Sequence, residues 1–226
     1  MRAVRADIHV HILPGIDDGA ADEAESRAML REAARAGIKK IYCTYHNRPG
    51  MFEPDPREVR AARRALDDAA AEAGVELALW CEAHADPALP GKLAAGEIIT
   101  EGGAFLLELP YVSERALLEL VFEVCSAGFT PVICHPERYV RGKADIAALE
   151  RAKNRGALVQ VNAPAVAGLN GRRERKKALA ILKAGLADAL ASDAHSAGTG
   201  LFEVLAETDA EYGPFDIEGT LERRRR

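Results

Sequence analysis

No apolar run in the 226-residue chain approaches the ~18 residues of a membrane-crossing helix, so no span is expected. The four cysteines, Cys43, Cys81, Cys125 and Cys134, form no C-x-x-C pair. Three of them sit inside apolar strand-like runs, so they read as buried reduced thiols of a cytoplasmic chain. None is followed six residues on by arginine: those positions are Pro49, Pro87, Pro131 and Val140. Thiolate phosphatase chemistry, which needs that arginine beside a nucleophilic cysteine, is thereby excluded. A G-x-S-x-G elbow is also missing, which leaves Ser-His-Asp catalysis unsupported. Excess positive charge is missing too. The net charge of −5 gives no footprint for nucleic acid, and the basic residues read as one block, the run Arg223 to Arg226, taken as a solvated tail. A removable leader is not expected, because Asp7, His9 and His11 lie too close to Met1.

Histidine is sparse but placed with a pattern. Residues 7–19 read Asp7-Ile8-His9-Val10-His11-Ile12-Leu13-Pro14-Gly15-Ile16-Asp17-Asp18-Gly19. Imidazoles two residues apart share one side of a strand, and two carboxylates follow just past its end. Such nitrogen and oxygen donors suit Zn, Mn, Fe or Co better than Ca or Mg. The other histidines, His46, His84, His135 and His195, recur at loop-facing positions, so all six are candidates for one site.

The chain alternates short apolar runs with helical patterns, and the runs end in ligand-capable residues. The first strand, about Arg5 to His11, is followed by a helix over about Ala21 to Ala36, with Gly37 as its stop. Ile38 to Thr44 leads to His46. A charged helix over about Pro56 to Ala73 stops at Gly74, and Val75 to Cys81 leads to Glu82 and His84. Ala104 to Leu107 leads to Glu108, before a helix over about Ser113 to Ala127. Thr130 to Cys134 leads to His135, and Ala157 to Val161 to Asn162. After a helix over about Arg172 to Ala184, Ala187 to Ser192 leads to Asp193 and His195. In parallel βα architectures function gathers at C-terminal strand ends. An open sheet would converge ligands at one switch point only, whereas a closed one brings all seven ends together. A single α/β domain is expected over residues 1–226, a distorted (β/α)7 TIM-like barrel with a multinuclear metal site in its mouth. Residues 211–226 read as an atypical, disordered tail of that domain.

At these residues the chain resembles the polymerase-and-histidinol-phosphatase (PHP) superfamily, and within it the bacterial capsule-biosynthesis protein-tyrosine phosphatases. The blocks that carry the resemblance are residues 7–19, Pro131 to Tyr139, Ala191 to His195, Gln160-Val161-Asn162 and Leu107 to Pro110. It implies three divalent metals, often manganese, with Fe, Zn, Co or Mg as alternatives. The implied ligands are His9, His11, Asp18, His46, Glu82, Glu108, His135, Asp193 and His195, with Arg138 as a phosphate-binding arginine. The implied substrate is phosphotyrosine on the tail of a tyrosine kinase of capsule or exopolysaccharide assembly, attacked at phosphorus by metal-activated hydroxide. Guided by the resemblance, His9 and His11 are expected on one metal with Glu82 and Asp193, His46 and His135 on a second, and Asp18 and His195 on a third. A metal ion, or Asp193 or His195 as a nearby acid, is expected to assist the departing phenolate.

Three other readings stay open at this stage. A small-molecule phosphatase, such as one for histidinol phosphate, shares the superfamily, although Pro131 to Tyr139 argues against it. A metal amidohydrolase also opens with D-x-H-x-H but often needs a strand-end lysine, which this chain lacks. A catalytically impaired metal-binding regulator is the third, because Ser196 to Gly200 carries no basic residue. The charged helix near Asp22 offers either a homo-oligomer contact or a solvated face.

Overall fold

The apolar runs form parallel strands in the computed structural model of the chain, which describes residues 6–109 and 113–225. Arg5, Pro110 and Arg226, each part of a segment read from sequence, lie outside the described residues. Among the described residues there are nine strand pieces: β1 (Ala6–Val10), β2 (Lys40–Cys43), β3 (His46–Asn47), β4 (Glu76–Leu79), β5 (Glu82–His84), β6 (Ala104–Glu108), β7 (Thr130–Ile133), β8 (Leu158–Asn162) and β9 (Ala189–Ala191). The pairs β2/β3 and β4/β5 are two single strands, each interrupted once. The seven expected strands are therefore present.

All pairings between these strands are parallel, in the orders β1-β2-β4 and β3-β5-β6-β7-β8-β9. Hydrogen bonds carry the pairing across the interruptions, from Trp80 N to Cys43 O at 3.1 Å and from Glu82 N to Tyr45 O at 2.8 Å. The last strand returns to the first through a parallel bridge between Val10 and Ala194, flanked by Asp193 N to His9 O and His11 N to Ala194 O, both 2.9 Å. The result is a distorted, barrel-like ring in which the junction between first and last strands is a short bridge and not a full ladder.

Helices α1 (Glu23–Arg35), α2 (Pro56–Arg64), α3 (Asp67–Ala73), α4 (Leu89–Ala94), α5 (Glu114–Ser126), α6 (Lys143–Asn154), α7 (Ala163–Ala167), α8 (Arg172–Lys183), α9 (Leu201–Tyr212) and α10 (Ile217–Arg225) accompany the strands. Their starts obey local chemistry. The Asp22 carboxylate accepts from Glu25 N ahead of α1, Asp55 precedes Pro56 at the head of α2, and Ser113 Oγ accepts from Ala116 N ahead of α5. The single helix expected over Pro56 to Ala73 is two. Leu66 turns into the core, and the chain tightens there with Leu66 N bonded to Arg63 O before α3 resumes.

Two buried layers separate inside and outside. The outer one lies between strands and helices. The inner one gathers Ile8, Tyr42, Ala78, Trp80, Ala104, Leu106, Val132, Cys134, Leu158, Ala189 and Ala191 within the ring, as expected for a barrel filled by side chains. Ile217 and Leu221 of α10 belong to this inner cluster. Glu218 receives the Tyr42 hydroxyl at 3.0 Å and pairs with Lys40 at 3.0 Å, at the N-terminal start of β2. Residues 211–226, read from sequence as an atypical tail, thus supply a helix that closes the bottom of the ring. Among the described residues of that helix Ile217 and Leu221 are the buried apolar ones, too few to stand out beside its charge.

Leu221→Ala should cost about 2–5 kcal/mol, the usual range for a buried leucine left as a cavity. The loss is measurable by chemical unfolding followed through Trp80, which shares the same cluster.

Candidate metal centre

Strand alternation delivers part of the centre directly. Along the inward face, Ala104 and Leu106 are followed by Glu108, Leu158 by Gln160 and Asn162, Ala189 and Ala191 by Asp193, and Ala78 and Trp80 by Glu82. In each case the period of two carries an apolar layer up into a polar one. The period breaks at two places, in β1 and at His135, and each break coincides with a backbone irregularity. The β1 register shifts between Asp7 and Val10, so Ile8 belongs to the inner cluster while His9 and His11 also point inward. Bulges re-aim side chains in this way beside active sites. His135 follows inward-facing Cys134 directly and adopts φ 33°, and Asp193 adopts φ 56°. Among the described residues these two alone, glycine aside, have positive φ, a strained region that costs of order 1–3 kcal/mol.

The side chains converge tightly. His9 Nε2 lies 3.1 Å from His11 Nε2, 3.1 Å from Glu82 Oε2 and 3.2 Å from Asp193 Oδ1. His11 Nε2 is 3.2 Å from Glu82 Oε2. His135 Nε2 meets Glu82 Oε1 at 2.7 Å, and His46 Nδ1 lies 3.2 Å from Glu82 Oε2. Asp18 Oδ1 sits 3.3 Å from His46 Nε2 and 3.7 Å from His195 Nε2. His9, His11, His135, Glu82 and Asp193 are buried, while Asp18 and His195 form the rim.

Outer partners orient three of the rings. His11 Nδ1 bonds Asp17 Oδ2 at 2.9 Å, His9 Nδ1 bonds Gln160 Oε1 at 3.2 Å, and His195 Nδ1 bonds the Asp193 carbonyl at 2.9 Å. Each Nδ1 faces an acceptor and so carries the proton, which leaves the Nε2 lone pair turned inward. Gln160 is itself fixed, because its Nε2 donates to Asn162 Oδ1 at 2.7 Å. Asn162 Nδ2 in turn donates to Asp193 Oδ2 at 2.7 Å. Lone pairs of His9 and His11 therefore oppose each other 3.1 Å apart against two carboxylates. A cation between them relieves that opposition, so the donor set fits divalent metal.

The field of the cluster agrees. Burial alone would raise Glu82, yet His9, His11 and His135 outweigh it and hold it well below the carboxylate range. Burial lowers His11, but Asp17 and Glu82 more than offset this and push it well up. The site attracts positive charge, whether protons or metal. The thiols do the opposite. Burial drives Cys43 up to about 12 and Cys134 well above its ordinary value, so none is a thiolate nucleophile.

Three clusters with metal-ligand spacing hold most of the predicted residues: His9, His11 and Asp193; His11, Asp18, His46 and His195; and His9, Glu82, Cys134 and His135. A fourth joins His46, Glu82 and Glu108. No cluster among the described residues holds both His46 and His135, the pair expected on one metal. They approach Glu82 through different oxygens, and His46 stands beside Asp18 and His195. His84 turns to Glu108 instead, with Nδ1 to Oε2 at 3.1 Å, and Tyr139 OH donates to Glu108 Oε1 at 3.0 Å. Arg138 follows His135 in the turn Pro136–Arg138 and pairs with Asp193 Oδ2. It does not pair with Glu114, which binds Arg151, or with Glu137, which accepts from Asn162 N.

Residues 5–203 match the family described as Capsular polysaccharide synthesis, CpsB/CapC. The chain belongs to the CpsB/CapC family. It is 32% identical over 219 residues to the tyrosine-protein phosphatase YwqE of Bacillus subtilis, covering 92% of this chain and 85% of that protein. It is 29% identical to the tyrosine-protein phosphatase CpsB of Streptococcus pneumoniae, covering 84% and 82%. A crystal structure from work on YwqE and CpsB, described as unique metal-dependent tyrosine phosphatases, superposes with a TM-score of 0.81 at 29% identity, over 96% of this chain and 91% of that one. The histidinol phosphate phosphatase of Lactococcus lactis shares the fold, with a TM-score of 0.64 at 14% identity over 94% and 95%.

Several residues of this CpsB/CapC centre carried weaker sequence signals. Asp17 reads as one of two equivalent carboxylates, yet it orients His11 and accepts from His46 N at 3.0 Å. Gln160 and Asn162 read only as a strand end. Gly19 must be glycine, because a Cβ there would lie 2.1 Å from the His11 carbonyl oxygen. Asp7 supports the ring, with Oδ1 accepting from Ser192 N at 3.2 Å and from His9 N at 3.3 Å.

Gln160→Leu removes the acceptor that sets the His9 tautomer, and metal affinity should fall about 10–100-fold, read by titration of the apoprotein. Iodoacetamide should leave phosphatase activity of the native protein intact, since Cys43, Cys81 and Cys134 are buried.

Proposed function

We propose that the chain is a metal-dependent phosphatase that hydrolyses phosphotyrosine on a tyrosine kinase of capsular or exopolysaccharide synthesis. One observation carries the reading most: inward lone pairs of His9 and His11 crowd Glu82 and Asp193 beside Arg138, in a chain 32% identical to the tyrosine phosphatase YwqE. Three divalent ions, manganese first among them, are assigned to the nine-residue set. His9, His11 and Asp193 would hold one, Asp18, His46 and His195 another, and Glu82 with His135 a third, with Glu108 grouped beside His46 and Glu82. Bound there, the ions supply positive charge against the phosphate dianion and acidify water.

The side chains account for the remaining demands. Arg138 offers a planar fork of donors to phosphate oxygens. Its present partner Asp193 keeps it poised over the centre, and 38% of its side chain remains accessible to a ligand. Burial would raise Asp193, but His9, His135 and Arg138 outweigh this and hold it below the carboxylate range. Asp193 is thus an anion and not a proton donor. His195, on the rim and stacked on His11 at 4.1 Å, keeps its Nδ1 proton on the Asp193 carbonyl, and burial beside His11 lowers its proton affinity, so bound metal would supply the positive charge that eases departure of the phenolate. That phenolate, with a pKa near ~10, needs modest help.

Purified protein should hydrolyse p-nitrophenyl phosphate and phosphotyrosyl peptides, lose both activities with chelator and regain them with Mn. Activity that survives full metal removal sinks the reading. Arg138→Ala should raise KM for phosphotyrosyl peptide by about tenfold or more, the worth of a charge-assisted contact, with a smaller change in kcat.

A further inference from the structure

Helix α8 reads Arg172-Arg173-Glu174-Arg175-Lys176-Lys177 and ends at Lys183, six basic residues against one acidic in a chain of net charge −5. It is a second basic block, hidden in the sequence because Glu174 interrupts it and helical periodicity absorbs it. Its apolar face is spent inside the fold, with Ala178 and Ile181 buried. Lys177 lies beside the turn that carries Arg138, its Nζ donating to the Arg138 carbonyl at 3.4 Å. Arg173, one turn before Lys177, and Lys176, three residues after Arg173, fall on the same flank. Among the described residues no carboxylate pairs with Arg173, Lys176 or Lys177. Across the mouth, Ser196 to Gly200 carries no basic side chain, and Gly198 N is tied to Glu32 at 2.9 Å.

We propose that the Arg173–Lys176–Lys177 flank of α8 is a docking strip for acidic residues flanking the phosphotyrosine of the protein substrate. The inference rests on the phosphotyrosine reading above and adds a sequence preference to it. A phosphate held at Arg138 leaves the neighbouring peptide to run past Lys177. An extended chain advances about 3.3 Å per residue, while four helical residues span about 6 Å. Acidic side chains about two to four residues from the phosphotyrosine therefore meet the strip. Rim charges of this kind act chiefly on encounter and discrimination, and salt weakens them. An anionic membrane fits less well, since a surface-lying helix needs an exposed apolar face to insert, and that of α8 is buried.

The test compares two phosphotyrosyl peptides, one with Asp or Glu at the flanking positions and one with Ser or Gln there, on metal-loaded wild type and on Arg173→Glu/Lys176→Glu. The acidic peptide should show the higher kcat/KM on wild type. The variant should lose about tenfold on that peptide and less than about twofold on the neutral one, and 0.5 M salt should erase the difference. Fluorescence anisotropy with the same peptides carrying a non-hydrolysable phosphonate on tyrosine reads docking without turnover. If neither peptide is hydrolysed, the phosphatase reading fails, and the anisotropy still decides the strip. If wild type and variant treat the two peptides alike in both assays, the docking strip is wrong while the phosphatase reading stands. Equal treatment of the peptides, together with wild-type binding to phosphatidylserine vesicles that the variant loses, assigns the strip to a membrane and also overturns the proposal.

Discussion

Histidine lone pairs held against buried carboxylate is the arrangement on which the rest of the molecule depends. Glu82 is fully buried, and four imidazoles (His9, His11, His46 and His135) approach its two oxygens within 3.2 Å. In a low-dielectric interior such a gathering is costly unless positive charge joins it. The surroundings give it little freedom to relax. Gln160 and Asp17 hold two ring tautomers, Asn162 holds Asp193, and Gly19 lets the loop close against His11. The protein keeps a centre that is incomplete as a purely protein structure, and affinity for metal is the consequence.

The ring of strands tolerates this because its two ends do different jobs. The lower half is an ordinary apolar filling, closed by α10 through Ile217 and Leu221. The upper half concentrates irregularity: the shifted register of β1, the interruptions after β2 and β4, and positive φ at His135 and Asp193. Strain at functional positions persists where the surrounding structure over-determines it. Here that support is parallel pairing on both sides of each irregular point and the Asp7 carboxylate, which ties the exit of β9 to β1.

What could be read from the sequence followed from which physical signals are periodic. Seven apolar runs ending in His, Asp, Glu or Asn report the strand order and the rim, because alternation and strand ends are local properties. The same logic brought His9, His11, His46, Glu82 and His135 to one place. It could not show that His84 would turn to Glu108, or that His46 would stand with Asp18 and not with His135. Those outcomes depend on ring rotations and on the Glu82 carboxylate, set by contacts distant in sequence. The bulge in β1 leaves no compositional trace. The helix at 217–225 was obscured by its arginines, and Gln160 and Asn162 are neutral amides whose importance lies only in what they touch.

A centre built to draw cations is poorly suited to draw a phosphate dianion, and the chain resolves the conflict by separating the two in depth. Carboxylates and imidazoles occupy the floor, where burial and mutual pairing favour positive charge. Arg138 stands above them, its guanidinium on Asp193 and its carbonyl on Lys177. From there α8 continues the positive potential outward along the surface. On the docking proposed above, a phosphorylated chain would meet these cationic side chains before the acidic floor, although the overall charge is negative. The loop after His195 carries no cation. On the same proposal, substrate would enter across α8 and the turn at Arg138.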